Sequence, residues 1–559
     1  MEINIQKHTR RALIALPCAV LMIAASGCSF LKKRKQVDLG VVYNELAQLP
    51  DNQRNPVIVI PGILGSRLVD KPTGDVAWGE MGTTGSNPFD TNTLTELALP
   101  MRVGTPLHQL HDQVHSDGPL DQLTFKIFGI PIHVNAYAQI LASLGVGGYR
   151  DRHFRGDSAT NEVDYGDDHF TCFQFSYDWR RDISETAAEL HQFIQEAHAY
   201  TQQQYLERYG IENADIQFDI VAHSMGGLVT RYYLRYGDQL LSDDGSAPVV
   251  TWAGADKVGR AILIGTPNAG STKSIHEMKD GMQLARPLPK FPSAVIGTMP
   301  AVYQLLPRTR HRTLTNASGK VLDVLDPETW SRLKWGLADP KQDRQLKKLL
   351  PNMNATQRRC VALEHQFKCL VRARQFHDSI DVQVPLPPGL EMHLYAGDAI
   401  ETLDSLAVNE KTGKIVEEKM TPGDGTVTRT SAVFEERTVN GIQRNIPWDS
   451  KTFLSSDHVG LTKDRAFVDN VLSRLLENPT DSASHIDEPT VIVSAEDFSE
   501  GVPLLQPALL DSLPEAPLIL DAPTEVPFPE ESPTEEPALT LPQPESVQKS
   551  FSDMLIDLE

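Results

Sequence analysis

The sequence predicts an α/β fold, in which a mostly parallel sheet carries helices on both faces. Short apolar runs rich in β-branched residues recur along the chain, as is typical of buried parallel strands. Helical stretches lie between these runs, and such alternation predicts a parallel sheet that is covered on both sides. Two long segments, near residues 66–165 and 271–390, interrupt the alternation. Insertions of this length usually carry substrate caps, so we expect large cap or lid insertions.

The individual elements are predicted from the pattern of apolar residues. The first strand lies in PVIVIPGILG, residues 56–65, where a Pro-Gly pair ends the apolar run and opens a loop. The other predicted strands are residues 217–222, 261–265 and 392–396. The predicted helices are residues 185–209, 228–236 and 466–476. The folded domain is therefore expected at residues 55–478.

Composition excludes one class of function. Of the 559 residues, 40% are apolar and 23% are charged, which is close to the globular norm. The formal net charge is −22, and the notable basic runs lie at the extreme N-terminus. Such a chain would repel phosphate backbones, so nucleic-acid binding has no electrostatic basis.

Residues 479–559 are predicted to be a disordered, acidic, proline-rich tail. Positions 481–559 hold eighteen Asp or Glu, twelve Pro and one Lys, and so carry most of the net charge. This composition cannot bury enough apolar surface to offset the entropy of ordering the chain. We interpret the tail as a solvated spacer. Its short apolar patches leave open a second interpretation, the docking of a protein partner.

The N-terminus has the pattern of an export signal. Basic residues precede an apolar run, residues 12–25, which is too short to span a bilayer but suits a secretory signal. The run ends in ASGCS, which resembles the bacterial lipoprotein box. Residues 1–27 are therefore a predicted signal peptide, Cys28 a predicted lipidation site and residues 28–54 an anchor linker. An ordinary cleaved signal peptide and an uncleaved anchor stay open as alternatives.

These features predict an exported protein of the cell envelope. Ser29, directly after Cys28, resembles the pattern that directs lipoproteins to the outer membrane of Gram-negative bacteria. The basic residues 32–35 would lie against anionic head groups and add to the hold of the acyl chains. We therefore expect attachment to a membrane surface through the lipidated N-terminus.

Export would permit disulfides among the cysteines that remain after processing. Cys360 and Cys369 are nine residues apart and could form a bridge, with Cys172 left as a buried thiol. Free thiols throughout are the open alternative, since sequence does not determine pairing. The spacing of these cysteines matches no metal site, and no metal is expected.

A predicted strand, a sharp turn and a helix follow one another in residues 217–237. The turn reads AHSMG, which matches the nucleophile-elbow pattern G-x-S-x-G with Ala222 at the first glycine position. Small residues are needed there because the strained turn brings them against the strand and the helix, and alanine supplies nearly the same room. We predict that Ser224 is a catalytic nucleophile rather than a structural turn serine.

An alkoxide that develops on an ester carbonyl must be held by preorganised hydrogen-bond donors. The backbone N–H of Met225 is one predicted donor, because it follows the serine at the start of a helix. The second donor should come from the loop PGILG after the first strand. We assign it to the N–H of Ile63, with Leu64 as the alternative. A plain tight turn is the other interpretation of this loop.

A serine nucleophile needs a histidine base, which in turn needs a carboxylate to orient it. In this architecture the chain order is serine, acid, histidine, so both partners should follow Ser224. Asp424, in the turn GDGTV, is the predicted acid, and Asp398, directly after a predicted strand, is the alternative. His458, on a loop before the last helix, is the predicted base.

The other histidines of interest are not expected to act as the base. His223 adjoins the nucleophile but points the wrong way, and His276, His311 and His365 are interpreted as surface residues.

Seven motifs occur in the order in which the lecithin:cholesterol acyltransferase family has them. They are NPVIVIPGILGSRL, FSYDWRRDI, AHSMGG, ILIGTPNAGS, PAVYQLLP, GDGTV and DHVGL. The chain resembles this family, which includes lysosomal phospholipase A2 and phospholipid:diacylglycerol acyltransferases, from about residue 55 to residue 475. The resemblance implies an α/β-hydrolase fold for the domain at residues 55–478. The segment Tyr177–Arg180 is among the more diagnostic pieces, and either packing beneath the site or substrate contact fits it.

The resemblance also implies roles for single residues. Ser224, Asp424 and His458 fall on the family's catalytic triad, and Ile63 and Met225 fall on its oxyanion positions. Such enzymes move a fatty acyl group from a glycerolipid through a serine ester, and they need no metal or organic cofactor.

Three functions follow from these expectations. The first is a lipid O-acyltransferase that moves a fatty acyl group from a membrane phospholipid to an alcohol or water through an acyl-Ser224 intermediate. The second is a plain lipase or phospholipase, which shares every motif. The third is a non-catalytic surface lipoprotein that uses its acidic tail for partners.

Overall fold

The computed structural model describes residues 46–81, 96–120, 122–127, 130–135, 138–151, 169–283, 290–438 and 441–477. The strands are β1 (Val57–Ile60), β2 (Ser66–Asp70), β3 (Val76–Trp78), β4 (Glu80–Met81), β5 (Val114–Pro119), β6 (Gln122–Ile127), β7 (Ile130–Asn135), β8 (Cys172–Gln174), β9 (Phe218–His223), β10 (Val258–Ile264), β11 (Leu314–Asn316), β12 (Glu391–Gly397), β13 (Ile400–Asn409), β14 (Lys414–Gly423), β15 (Glu435–Thr438), β16 (Gly441–Asn445) and β17 (Ser450–Leu454). The α-helices are α1 (Ala138–Val146), α2 (Ile183–Tyr209), α3 (Met225–Tyr236), α4 (Lys273–Asp280), α5 (Ser293–Ile296), α6 (Pro300–Gln304), α7 (Pro327–Leu333), α8 (Asp343–Leu349), α9 (Ala355–Ile380), α10 (Arg429–Val433) and α11 (Arg465–Leu472).

The central sheet has the strand order β17-β12-β10-β9-β1-β8, and each neighbouring pair in it is parallel. The four predicted strands correspond to β1, β9, β10 and β12, which are the four inner strands. The edge strands β8 and β17 are short and less apolar, so the pattern of buried runs did not reveal them. The predicted α/β fold with a mostly parallel sheet is confirmed.

Both faces of the central sheet are buried. Ile58 and Ile60 of β1 pack in the larger apolar core, whereas Val57 and Val59 pack in a second core. Helices α2 and α3 contribute to the larger core, and α1 and α11 contribute to the second. This covering explains why the strands read as continuous apolar runs rather than as alternating ones.

Helix α2 has clear signals at both of its ends. Helix α2 begins after Asp182, whose side chain accepts a hydrogen bond from the Ser184 N–H, and it ends at Gly210 in the left-handed region. Helix α3 begins directly after Ser224, three residues before the predicted start, and every residue in it is buried. Helix α11 is followed by a short π-helical turn that ends at Glu477.

The two predicted insertions contain regular structure. The described part of residues 66–165 holds two three-stranded sheets, β3-β2-β5 and β4-β6-β7, and helix α1. Residues 271–390 hold helices α4 to α9. Some of these elements complete the domain core, because α1 covers one face of the sheet and α9 packs Leu370 and Phe376 into the larger core. The role of the insertions as substrate caps stays a prediction.

Helix α9 decides whether Cys360 and Cys369 can form a disulfide. Cys360 and Cys369 both lie on this helix, about 13 Å apart along its axis at 1.5 Å per residue. They are therefore too far apart to form a bridge, and both are free, as is the buried Cys172.

The interpretation of His365 as a surface residue is wrong. His365 is 1% exposed and donates its Nε2–H to the Thr298 carbonyl at 2.9 Å.

The predicted signal peptide, the lipidation site Cys28 and the acidic tail at residues 479–559 lie outside the described residues and stay predictions. None of the helices that the structure describes combines the length and apolarity that are needed to cross a membrane.

Candidate active site

The strands of the central sheet all run parallel. The carboxyl ends of β1, β9, β12 and β17 therefore lie at the same edge of the sheet. Ile63 lies on the loop after β1, Ser224 follows β9 directly, and His458 lies on the loop after β17. Loops at this edge are where open α/β sheets place their ligands. The fold therefore brings three distant segments of the chain to one place.

Asp424 reaches the same edge by a longer route. The antiparallel hairpin formed by β13 and β14 leaves the sheet after β12, and Asp424 follows the end of its second strand. The returning chain packs against Gly397, the last residue of β12. A Cβ atom at Gly397 would lie 2.6 Å from the Asp424 Cβ, so the absence of a side chain there permits the approach.

The turn between β9 and α3 holds Ser224 in a strained backbone conformation. Its φ is +53° and its ψ is −123°, a backbone conformation that residues other than glycine rarely adopt. A Cβ atom at Gly226 would lie 2.6 Å from the carbonyl oxygens of both Ile60 and Pro61. Ala222 is fully buried at the other small position. This sharp turn is the geometry that the AHSMGG motif predicts, and it presents the serine hydroxyl at the sheet edge.

Ser224, His458 and Asp424 form one chain of hydrogen bonds. The Ser224 Oγ lies 2.9 Å from His458 Nε2, and His458 Nδ1 lies 2.7 Å from Asp424 Oδ2. With the proton on Nδ1, the imidazole donates to the carboxylate and presents an Nε2 lone pair to the serine hydroxyl. The histidine can then take the serine proton as a general base. We refer to these three residues as the triad.

The Asp424 carboxylate is held in its charged form. Burial acts to raise its pKa, but the charge of the neighbouring His458, the hydrogen bond from that ring and two backbone N–H donors bring the pKa below its usual value. Those N–H groups belong to Thr426 and Val427, at 2.9 Å and 2.7 Å from Oδ1. The alternative acid, Asp398, instead pairs with Arg429 at 3.3 Å.

The His458 loop is fixed on both sides of the residue. Its backbone N–H donates to the Asp424 carbonyl at 2.9 Å, and its carbonyl accepts from His223 Nε2 at 2.9 Å. His223 is therefore not a base, as predicted, but it supports the loop that carries one. Sequence reasoning missed this contact. The only available signal was a polar residue at the end of a buried strand.

The predicted oxyanion donors lie next to the triad. Within the described part of the chain, the N–H groups of Ile63 and Met225 donate to no protein acceptor, as an oxyanion hole requires. The same holds for Leu64, which has a φ of +68°, so the choice of Ile63 stays a prediction. Gly62 lies against the nucleophile, since a Cβ there would come within 2.7 Å of the Ser224 Cβ.

The chain itself supplies every group that serine-based acyl transfer uses, namely a hydroxyl, an imidazole, a carboxylate and backbone donors. Across the residues that the structure covers, no cluster of three or more His, Cys, Asp or Glu side chains could hold a metal ion.

The lecithin:cholesterol acyltransferase family model matches residues 160–432. The match contains Ser224 and Asp424 and ends before His458, which the fold brings to them. This segment, just under half of the chain, resembles the lecithin:cholesterol acyltransferase family. The chain has the α/β-hydrolase fold that its motifs imply, and it is an esterase-type enzyme, a hydrolase or acyltransferase of lipid acyl esters.

Solved structures similar to this chain include a lipase and a phospholipase. The Tle4–Tli4 complex matches at 15% identity over 78% of this chain and 99% of that chain, with a TM-score of 0.49. The Bacillus licheniformis lipase BlEst2 in its propeptide form matches at 12% identity over 77% of this chain and 52% of its own, with a TM-score of 0.26. The Legionella pneumophila phospholipase PlaB matches at 12% identity over 77% of this chain and 60% of its own, also with a TM-score of 0.26. Among curated proteins, no sequence matches significantly.

Three of the buried histidines that the structure describes donate to backbone carbonyls and are held in neutral form by burial. His223, His365 and His377 each donate Nε2–H to a backbone carbonyl 2.9 Å away. Burial lowers the pKa of His223 to about 3 and that of His365 to about 4. Burial also lowers the pKa of His377 well below its usual value. These rings therefore stay uncharged in the folded protein at pH values where an unfolded chain protonates them.

We expect the enzyme to lose stability steeply between pH 6 and pH 5. Below about pH 6.5 the unfolded state binds protons at these three histidines, whereas the folded state does not. The free energy of unfolding therefore decreases as the pH is lowered. Each group should contribute about 1 kcal/mol per pH unit in this window. Urea unfolding at pH 7, 6 and 5 measures the effect, and His365→Gln should reduce the loss between pH 6 and pH 5 by about 1 kcal/mol. A free energy of unfolding that is equal at pH 6 and pH 5 would contradict the assignment.

Proposed function

We propose that this protein is a lipid O-acyltransferase that moves a fatty acyl group from a glycerophospholipid to an alcohol or to water. The observation that carries the proposal is the hydrogen-bonded chain from Ser224 through His458 to Asp424 at the sheet edge. The match to the lecithin:cholesterol acyltransferase family supports the transfer reaction.

The first half of the reaction forms an acyl-enzyme. His458 Nε2 takes the proton of the Ser224 hydroxyl as Oγ attacks the ester carbonyl, and Asp424 stabilises the resulting imidazolium. The oxyanion of the tetrahedral intermediate accepts hydrogen bonds from the N–H groups of Ile63 and Met225. The lyso-lipid then leaves as His458 returns the proton to its oxygen.

The second half of the reaction releases the acyl group. An alcohol or a water molecule gives its proton to His458 Nε2 and attacks the acyl-Ser224 carbonyl. The same oxyanion donors hold the second tetrahedral intermediate. Collapse of that intermediate expels the Ser224 oxygen, which regains its proton from His458. The product is an ester when an alcohol attacks and a free fatty acid when water attacks.

Apolar side chains at the rim support a lipid substrate. Val459, directly after the base, is 42% exposed, although large apolar side chains are usually buried. Ile63 and Leu64, on the loop after β1, are also only partly buried. An acyl chain that enters beside the triad would cover these side chains and remove their surface from water.

A membrane address fits this substrate class. We propose that lipidation of Cys28 confines the enzyme to the surface on which its water-insoluble substrate lies, in the outer membrane of a Gram-negative cell. The lipid anchor and the export signal both depend on residues outside the described part of the chain.

The transfer reaction is tested with phosphatidylcholine vesicles that carry labelled acyl chains, mixed with increasing amounts of a long-chain alcohol or a sterol. We expect labelled ester to rise in proportion to the acceptor and labelled fatty acid to fall, because both products come from one acyl-enzyme. Ser224→Ala should yield neither product. Release of fatty acid alone at every acceptor level would refute the transferase assignment and would leave a phospholipase.

A further inference from the structure

The loop at residues 61–66, which follows β1, is held by three buried aromatic side chains. We call this segment the oxyanion loop. The Tyr177 hydroxyl donates to the Pro61 carbonyl at 2.8 Å, and the Trp78 indole N–H donates to the Leu64 carbonyl at 2.9 Å. The Trp179 indole N–H donates to the Ser66 carbonyl at 3.3 Å. Three aromatic donors from two separate segments thus converge on six residues.

The remaining bonds of the oxyanion loop complete the pattern. The Gly65 N–H donates to the Gly62 carbonyl at 3.1 Å, which closes a tight turn. The Gly65 carbonyl accepts from the Leu120 N–H at 3.0 Å, and the Ser66 hydroxyl accepts from the Tyr177 N–H at 3.0 Å. Five carbonyls of the oxyanion loop therefore accept hydrogen bonds from donors of the protein itself.

Occupied carbonyls determine where the N–H groups point. A trans peptide unit is planar, and its C=O and N–H point in opposite directions. Because the Gly62 carbonyl is held inside the turn, the N–H of Ile63 in the same peptide unit points away from the turn. Tyr177 holds the peptide unit before this one, and Trp78 holds the Leu64 carbonyl after it. The turn is thus clamped at both ends.

The clamping side chains cannot move easily. Trp78, Tyr177 and Trp179 are each no more than 1% exposed. The two indoles pack edge to face with their centroids 5.4 Å apart. Arg180, the next residue, is fully buried and pairs with Asp178 at 2.7 Å. The donors therefore stand on a rigid base, as a preorganised site requires.

We infer that Tyr177, Trp78 and Trp179 are positioning residues that aim the N–H groups of the oxyanion loop at the developing oxyanion. This inference rests on the proposed function, since it assigns part of that same site. It also assigns a role to the Tyr177–Arg180 segment, in which the side chains of Tyr177 and Trp179 bind the loop. A core-only role would need the apolar surface of the three rings, but not three polar atoms directed at one loop.

The test removes a single hydroxyl. Tyr177→Phe should lower kcat for p-nitrophenyl butyrate about 10-fold and leave KM within about twofold, because the loop is needed most in the transition state. Inactivation by a fluorophosphonate should slow by a similar factor. The pH dependence of kcat should not change, because the histidine base keeps its contacts.

Tyr236→Phe is the matched control. The Tyr236 hydroxyl is equally buried and donates to the Ser379 carbonyl at 2.8 Å, at the far end of helix α3. Both variants should lose similar thermal stability, but only Tyr177→Phe should have a lower kcat.

Equal kcat in the two variants, with the wild type active, would overturn the inference about the oxyanion loop but not the proposed function. A wild-type enzyme that cleaves no ester and takes up no fluorophosphonate would overturn the proposed function itself. If Tyr177→Phe does not fold, Trp78→Phe removes the indole N–H and should give the same selective loss of kcat, and an unchanged kcat there would overturn the inference.

Discussion

Asp424→Asn should lower kcat by about 10⁴-fold and leave the fold intact. The Asp424 Oδ2 accepts from His458 Nδ1 at 2.7 Å and so keeps the proton on that nitrogen. An asparagine amide would present an N–H at this place, which favours the imidazole tautomer with its proton on Nε2. That tautomer has no lone pair for the Ser224 hydroxyl. Steady-state hydrolysis of a soluble ester measures the loss.

Asp398→Asn is the control for this substitution. Asp398 follows β12 at the same sheet edge, but it pairs with Arg429 and is not hydrogen-bonded to His458. We expect its kcat to stay within a few-fold of the wild type. A severe loss in Asp398→Asn combined with near-normal turnover in Asp424→Asn would show that the acid was assigned wrongly.

Ser224→Ala should lower kcat by about 10⁶-fold, because it removes the atom that attacks the carbonyl. The substitution keeps the Cβ, so the strained backbone at φ +53° and the packing against Gly62 are little changed. The melting temperature should therefore stay close to that of the wild type. The kinetic loss and the retained fold must be measured on the same preparation.

Ser379→Ala provides the comparison for loss of a buried serine hydroxyl. Ser379 is fully buried, and its hydroxyl donates to the Gln375 carbonyl at 2.8 Å within helix α9. This variant should lose some stability but keep its kcat. Turnover by Ser224→Ala that exceeds about a hundredth of the wild-type rate would mean that another group attacks the ester.

The inner part of the fold could be predicted from the sequence because its signals are local. Each of the inner strands is a short apolar run, and the serine elbow needs small residues at fixed distances from one serine. The edge strand β17 carries the chain to His458, yet it reads SKTFL and has no continuous apolar run. Its place in the sheet depends on pairing with β12, which no local pattern reveals.

The choice between Asp424 and Asp398 could not be made from the sequence alone. Asp398 comes directly after a predicted strand, whereas Asp424 comes after a hairpin of unknown direction. The hairpin returns the chain to the end of β12, where Gly397 leaves room for Asp424, and this placement makes Asp424 the acid of the triad. Residues that act through distant backbone groups, such as Tyr177 on the Pro61 carbonyl, were hidden for the same reason.

The convergence of Ser224, His458 and Asp424 is tested most directly by peptide mapping after reaction with a long-chain fluorophosphonate. We predict one adduct for each chain, located on Ser224, with labelling lost in Ser224→Ala and strongly slowed in His458→Ala. No adduct in the folded wild type, or an adduct on another residue that persists in Ser224→Ala, would contradict the triad.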